Sequence, residues 1–128
     1  MDENIVTEYY QIIKNKIAQA DFDSAIRSVD KLLYNFPNDE WGYYYKGVCE
    51  FALENYEDAI KNYKIAIQLN PLFAKAYFNL GTCYHTMEYY DSALISIGRA
   101  LVIFSKQKDA EAKQRCIEAL HQVESDSL

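Results

Sequence analysis

Glycine and proline are scarce in this sequence, with four and two copies among 128 residues. Folds built from many strands and tight turns use more of both, because glycine permits positive φ and proline presets φ in turns. The sequence also lacks an uncharged apolar run close to the roughly 18 residues that a membrane-spanning helix needs. These absences favour an all-α protein whose helices are joined by short turns, and they argue against a membrane segment.

Basic residues are not in excess either. The 13 Lys and Arg residues are outnumbered by 19 Asp and Glu, which gives a net charge of −6. This charge repels phosphate backbones and anionic membranes, so we expect neither nucleic acid nor a membrane as the main partner. The first ten residues, MDENIVTEYY, contain no basic region followed by an apolar core and no small-residue cleavage site. We therefore expect a cytoplasmic protein.

Residues suited to catalysis or metal binding are few and badly spaced. Cys49, Cys83 and Cys116 are odd in number and form no C-x-x-C pair, so we interpret them as reduced packing residues. Cys83 and His85 are two positions apart and would point about 200° apart on a helix, which rules out a nucleophile and base pair. The sequence has no glycine-rich phosphate loop and no metal-spaced set of carboxylates. We predict a protein without catalytic residues, metal or cofactor.

The sequence does contain a repeat with a period of 34 residues. Within each copy, apolar residues recur every three or four positions, which is the spacing of one face of a helix. A period of this length is typical of helical repeat arrays. The recurring pairs are Gly47 and Gly81, Tyr56 and Tyr90, Ala59 and Ala93, and Ala66 and Ala100. The predicted helices cover residues 4–18, 22–35, 40–53, 56–69, 74–87, 90–104 and 109–124.

These residues resemble the tetratricopeptide repeat family, whose unit is a pair of antiparallel helices with large and small residues at fixed slots. In the first copy, Ile13 replaces a small residue and Leu32 replaces an alanine. The family's turn glycine is absent from all three copies, where Ala20, Glu54 and Glu88 stand instead. The middle copy supplies Tyr43, Gly47, Tyr56, Ala59, Tyr63, Ala66 and Pro71. The third copy supplies Tyr77, Leu80, Gly81, Tyr84, Tyr90, Ala93 and Ala100, without the closing proline.

The resemblance covers about residues 6–107 and implies a fold. The family forms a right-handed superhelix, an α-solenoid, so this chain would consist of three antiparallel helix pairs and one C-terminal helix. We expect a single domain over residues 1–128, with repeats at about 6–39, 40–73 and 74–107. The helix at about 109–124 has one apolar side, and we expect it to cap the exposed end of the last repeat.

The resemblance also implies a binding surface, because the concave side of such arrays binds segments of other proteins. One groove slot holds Tyr10, Tyr44 and Phe78, and we expect Tyr10, Tyr44 and Tyr45 to be surplus to packing. An apolar, aromatic groove follows from this set. The competing interpretation is that the rings pack between neighbouring first helices or against the chain's own terminus. The candidate groove residues are Tyr10, Lys14, Trp41, Tyr44, Tyr45, Val48, Phe51, Lys75, Phe78, Asn79, Thr82 and His85.

A narrower family function does not fit the same slots. Family members that grip the acidic C-terminal tail of heat-shock chaperones use lysine, asparagine, asparagine, lysine and arginine at five groove slots, and only Lys75 matches here. Those slots hold Tyr10, Lys14, Tyr45, Lys75 and Asn79. An acidic-tail clamp is therefore not expected, although Lys14, Lys75 and Asn79 still offer donors to one carboxylate or backbone carbonyl.

Two functional hypotheses remain. The first is an adaptor or chaperone-like protein that binds a hydrophobic or aromatic segment of another protein in the groove. Small acidic three-repeat proteins of this kind resemble the chaperones of secreted translocator proteins. The alternative is a self-assembly module, a homo-oligomer without a groove ligand, in which the first repeat or the last helix pairs with its own copy.

Overall fold

Helices account for almost all of the chain that the structure describes. The computed structural model describes residues 2–128, with side chains from residue 4 onward, and this range contains seven helices and no strand. Each predicted helix is present, with ends within two residues of the prediction, which confirms the all-α class. The helices are α1 (Asp2–Ala18), α2 (Phe22–Asn35), α3 (Glu40–Ala52), α4 (Tyr56–Leu69), α5 (Ala74–Thr86), α6 (Tyr90–Lys106) and α7 (Ala110–Asp126).

The helices group into two compact units. The first unit ends at Leu69 and the second begins at Asn70. In the first unit α1 packs on α2, α2 on α3 and α3 on α4, and in the second unit α5 packs on α6 and α6 on α7. Of the helices described, none combines the length and apolar character needed to cross a membrane.

Four helices end in the same turn, although the turn residue is never glycine. Ala20, Glu54, Glu88 and Lys108 have φ of 57°, 64°, 65° and 59°, the left-handed region. In the first of these turns the Ala20 N–H donates to the carbonyl of Ile17, and the next N–H donates to Lys16, both at 2.9 Å. These two bonds define a Schellman motif, which satisfies the last free carbonyls of α1. Three of the four positions are those where the sequence lacks the family's turn glycine.

The core of the second helix pair depends on a small residue opposite a large one. A Cβ placed on Gly47 would lie 2.6 Å from Cε1 of Tyr63, so the Tyr63 ring of α4 fills the space that a larger residue on α3 would need. Ala59 and Ala66 are fully buried on the same side of α4. In the first helix pair, Ile13 takes the slot of Gly47 and lies in a buried cluster with the smaller Val29 and with Leu32.

The second unit uses the same arrangement. A Cβ on Gly81 would clash with the Ile97 side chain of α6. The last helix adds Ala112, Cys116 and Val123 to this core, so the apolar side of α7 covers the core of the second unit. Cys49, Cys83 and Cys116 are all free and buried, which confirms their interpretation as packing residues.

Candidate functional site

The first unit contains a cluster of four aromatic residues, one from α1 and three from α3. We call Tyr10, Trp41, Tyr44 and Tyr45 the aromatic cluster. The ring centroids are 5.9 Å apart for Tyr10 and Tyr45, and 5.4 Å apart for Trp41 and Tyr44. Tyr45 also lies 5.8 Å from Trp41 and 5.6 Å from Tyr44. The rings meet at tilted or edge-to-face angles, the arrangements that their quadrupoles favour.

Tyr45 is the buried member of this cluster and lies beneath the other rings. Its side chain is 8% exposed and packs in the core with Ile13 and Leu32. The expectation that Tyr45 is surplus to packing is therefore wrong. Consecutive helical residues point about 100° apart, so Tyr45 turns into the core while Tyr44 stays at its edge. Burial, with smaller effects of Tyr44 and Asp39, raises the pKa of Tyr45 to about 12.

A carboxylate that the sequence analysis missed holds the cluster in place. The Tyr10 hydroxyl donates to Oδ1 of Asp39 at 2.5 Å, and Oδ2 of Asp39 accepts from the Gly42 N–H at 2.9 Å. One side chain thus caps α3 and orients Tyr10 of α1. Burial, followed by this hydrogen bond, raises the pKa of Tyr10 above its usual value, so the hydroxyl remains a donor. An aspartate just before a predicted helix start is the signal that identifies such a cap.

A stripe of partly exposed apolar side chains runs along α3, next to the buried Tyr45. The stripe consists of Trp41, Tyr44, Val48 and Phe51, spaced three or four residues apart and all intermediate in burial. This spacing places them on one face of the helix. Lys14, exposed and one turn after Tyr10 on α1, contributes a cation in the same unit. The α3 stripe is therefore an accessible apolar surface on a rigid element.

The other candidate residues lie on α5 in the second unit. Lys75 is exposed, and Phe78 is partly buried against the core of that unit. The Thr82 hydroxyl donates to the Phe78 carbonyl at 3.2 Å, a bond within the helix. Asn79 is also partly exposed. Lys75, Phe78 and Asn79 are thus at least partly accessible to solvent.

His85 contacts the C-terminal helix. Its Nε2 lies 2.6 Å from Oδ2 of Asp126, the last residue of α7, and its ring centroid is 6.2 Å from that of Tyr90. The hydrogen bond from His85, and a second from Gln122, lower the pKa of Asp126. His85 therefore has a partner within the chain, on α7.

Replacing Asp126 by Asn is expected to destabilise the protein in a pH-dependent way. The folded-state pKa of Asp126 is lowered, so its contribution is present above its unfolded pKa and is lost as pH falls through the folded value. In urea unfolding, the free energy of unfolding of Asp126→Asn should be lower than that of the wild type at about pH 7, and the difference should disappear at about pH 3 or below. Glu124→Gln, which changes a neighbouring exposed carboxylate, is the control. A deficit that persists unchanged in acid would contradict the assignment.

Cys83 lies on α5, two positions before His85. Cys83 is fully buried, and burial raises its pKa to about 12, so the thiol is protonated at neutral pH and is not a nucleophile. Among the side chains that the structure describes, residues 4–128, no group of three or more His, Cys, Asp or Glu is arranged to hold a metal ion.

Sequence profiles of known families match most of the chain. Three tetratricopeptide repeat profiles match residues 10–63, 49–87 and 74–107. The chain belongs to the tetratricopeptide repeat family. The matches extend from α1 to the end of α6 and therefore include every helix that carries a candidate site residue.

A sequence relative extends the comparison. This tetratricopeptide repeat chain is 27% identical over 111 residues to the protein SGT1 homolog of Bos taurus. The matched region is 86% of this chain but 33% of the relative, so the chain spans about a third of that protein's length.

Several solved structures share the tetratricopeptide repeat fold. PcrH in complex with the chaperone binding region of PopD has a TM-score of 0.90 at 19% identity, covering 100% of this chain and 97% of that chain. The TPR2B domain of yeast Sti1 in its pHsp70 complex has a TM-score of 0.89 at 19% identity, covering 94% and 97%. Yersinia enterocolitica SycD, with a peptide of the translocator YopD, has a TM-score of 0.88 at 16% identity, covering 98% and 96%. At these identities the likeness confirms the fold alone.

Proposed function

We propose that this protein is a non-enzymatic adaptor or chaperone-like module that binds an apolar or aromatic segment of another protein. The observation that carries the proposal is the α3 stripe, which keeps Trp41, Tyr44, Val48 and Phe51 partly exposed along one helix face. Large rings bury much area with few rotatable bonds, and for this reason they are enriched at the centres of binding sites.

The surface is organised before any ligand arrives. Tyr45 supports the rings of Trp41 and Tyr44 from below, and the bond to Asp39 fixes Tyr10. Rings that are already held in one arrangement lose little conformational entropy on binding. This organisation suits a segment that presents two or three large apolar side chains to the stripe.

An acidic tail is the less suitable ligand. Two of the five groove slots that need cations or amides for a tail hold Tyr10 and Tyr45, and Tyr45 is buried beneath its neighbours. Two similar structures contain yeast Sti1 domains in complex with pHsp70 and pHSP90, but the 19% identity transfers only the fold. The complexes of PcrH with PopD and of SycD with YopD, at 19% and 16% identity, support a role in binding protein segments no more strongly than the Sti1 complexes do, so the preference for an apolar segment rests on the α3 stripe.

We infer a separate ligand-binding surface on α5 in the other unit. Phe78 occupies the repeat slot of Tyr10 and Tyr44, and Lys75 and Asn79 on the same helix supply polar groups for a ligand carboxylate or backbone carbonyl. A cytoplasmic location belongs to the same proposal, because three free cysteines suit a reducing compartment.

Tyr44→Ala is expected to weaken binding of an apolar segment about tenfold, the usual loss when a central ring is truncated. Trp41 is the only tryptophan, so its fluorescence reports binding at the stripe directly. The probes are a peptide rich in Leu and Phe and a peptide of equal length rich in Asp and Glu. Phe78→Ala, titrated in the same way, tests the contact on α5.

The matched control is Tyr34→Ala, since Tyr34 on α2 is 88% exposed and belongs to neither surface. All variants should show the same helical circular dichroism as the wild type, so that weaker binding cannot be attributed to unfolding. If Tyr44→Ala binds the apolar peptide as tightly as the wild type, or if the acidic peptide binds better, the proposal is wrong.

A further inference from the structure

The outer face of α6 carries apolar side chains that nothing in the described chain covers. Ile95 is 59% exposed and Val102 is 52% exposed, and Leu72, just before α5, is 67% exposed. Together they border a shallow groove of about 380 Å³. Its walls include Leu72, Tyr77, Ile95, Gly98, Arg99 and Val102.

Gly98 forms a notch in the middle of this face. A Cβ added there would meet nothing within 4 Å, whereas one added to Gly47 or Gly81 would collide with a buried side chain. A glycine inside a helix costs about 1 kcal/mol relative to alanine. Since packing within the chain does not require Gly98, its position between Ile95 and Val102 points to close approach by a helix from outside, because small residues let helix axes come nearer.

The two ends of the face carry opposite charges. Asp91 lies in the first turn of α6 and Lys106 in its last turn, and both are exposed. Neither forms an ion pair with any residue in the described part of the chain. Both charges are therefore available to a partner.

The residues of this face would match those of a second α6 that runs in the opposite direction. When two copies of α6 run antiparallel about a two-fold axis between positions 98 and 99, residues whose numbers add to 197 lie at the same height. Ile95 then faces Val102 of the other copy, Gly98 faces Arg99, and Asp91 faces Lys106. At about 1.5 Å per residue, the two ion pairs are roughly 22 Å apart on the helix, with the apolar residues between them.

We propose that a second copy of this chain docks on the outer face of α6, with the two α6 helices antiparallel and Gly98 at their closest approach. The choice of a second copy rests on the charges at the two ends of the face, because a two-fold axis pairs Asp91 with Lys106 twice. The two exposed Arg99 side chains lie on either side of the axis and oppose this pairing as like charges. The antiparallel arrangement also places each helix N-terminus beside the other C-terminus, which favours the pairing of their dipoles. This surface uses none of the residues proposed to bind a peptide segment, so either proposal can fail alone.

A charge exchange tests the register. In sedimentation equilibrium, the wild-type mass is expected to rise with concentration from 14.9 kDa towards twice that value. Asp91→Lys and Lys106→Asp should each weaken the dimer about tenfold, since each turns two attractions into repulsions. The double variant Asp91→Lys/Lys106→Asp should return to within about threefold of the wild type, because opposite charges meet again.

Gly98→Trp tests the close approach independently. The site has room for a side chain in the monomer, so the variant should keep the wild-type helical circular dichroism and peptide titration while losing the dimer. A wild type that stays at 14.9 kDa at every concentration overturns the proposal. A dimer that survives Gly98→Trp, or a double charge exchange as weak as its single variants, shows that any pairing lies elsewhere and also overturns it.

Discussion

Replacing Ala20, Glu54, Glu88 and Lys108 together by glycine is expected to raise the free energy of unfolding by about 2–4 kcal/mol. All four have φ between 57° and 65°. In this region the Cβ of an L-residue crowds the following carbonyl at a cost of roughly 1–2 kcal/mol, which glycine avoids. The larger entropy of glycine in the unfolded chain offsets part of this gain, which leaves about 0.5–1 kcal/mol per site.

The four gains should add, because the substitutions lie in different turns. The four side chains are exposed and make no hydrogen bond or ion pair within the described residues, so nothing else is lost. Urea unfolding gives the free energy, and the melting temperature should rise by roughly 7–15 °C for a chain of this size. Lys61→Gly, in the exposed interior of α4, is the control and should lose about 1 kcal/mol. A quadruple variant no more stable than the wild type would show that these turns are not strained.

The helices could be predicted because the residues that recur every 34 positions recur for packing. Gly47, Ala59 and Ala66 are small where α3 and α4 touch, and each is fully enclosed in the structure. A physical requirement that repeats in space leaves a repeat in the sequence. The apolar side of α7 was visible for a similar reason, since a helix that covers a core needs one apolar face.

The site was less predictable because its residues act through contacts that the repeat does not encode. Tyr44 and Tyr45 are the same residue type at adjacent positions, and only the packing of α3 against α1 and α2 decides that one is buried. The bond between His85 and Asp126 joins positions 41 residues apart on α5 and α7, and no local pattern announces it. Asp39 is different, because its place just before α3 is a signal from which the cap could have been predicted, whereas nothing local indicates the bond to Tyr10.

Placing a larger residue at Gly47 and a smaller one at Tyr63 is expected to reveal a coupling free energy of about 3 kcal/mol between the two positions. Gly47→Ile alone should destabilise the protein by about 3 kcal/mol, because its side chain would enter the space of the buried Tyr63 ring. Tyr63→Val alone should lose about 3 kcal/mol by leaving a cavity. The double variant should lose about 3 kcal/mol in total rather than the sum of about 6, since each change fills or frees what the other needs.

The first helix pair provides the reason to expect this compensation. There the corresponding slots hold Ile13 and Val29, both fully buried in one cluster, so a larger residue on the first helix already faces a smaller one on the second. Gly47→Ile combined with Ile97→Val, a change in the other unit, is the control and should be additive. If the Gly47→Ile/Tyr63→Val variant instead loses about 6 kcal/mol, the sum of the two single losses, the two changes do not compensate. The backbones of α3 and α4 are then spaced differently from those of α1 and α2. The comparison by urea unfolding therefore tests whether the first repeat, which departs most from the family's small residues, keeps the same helix spacing as the second.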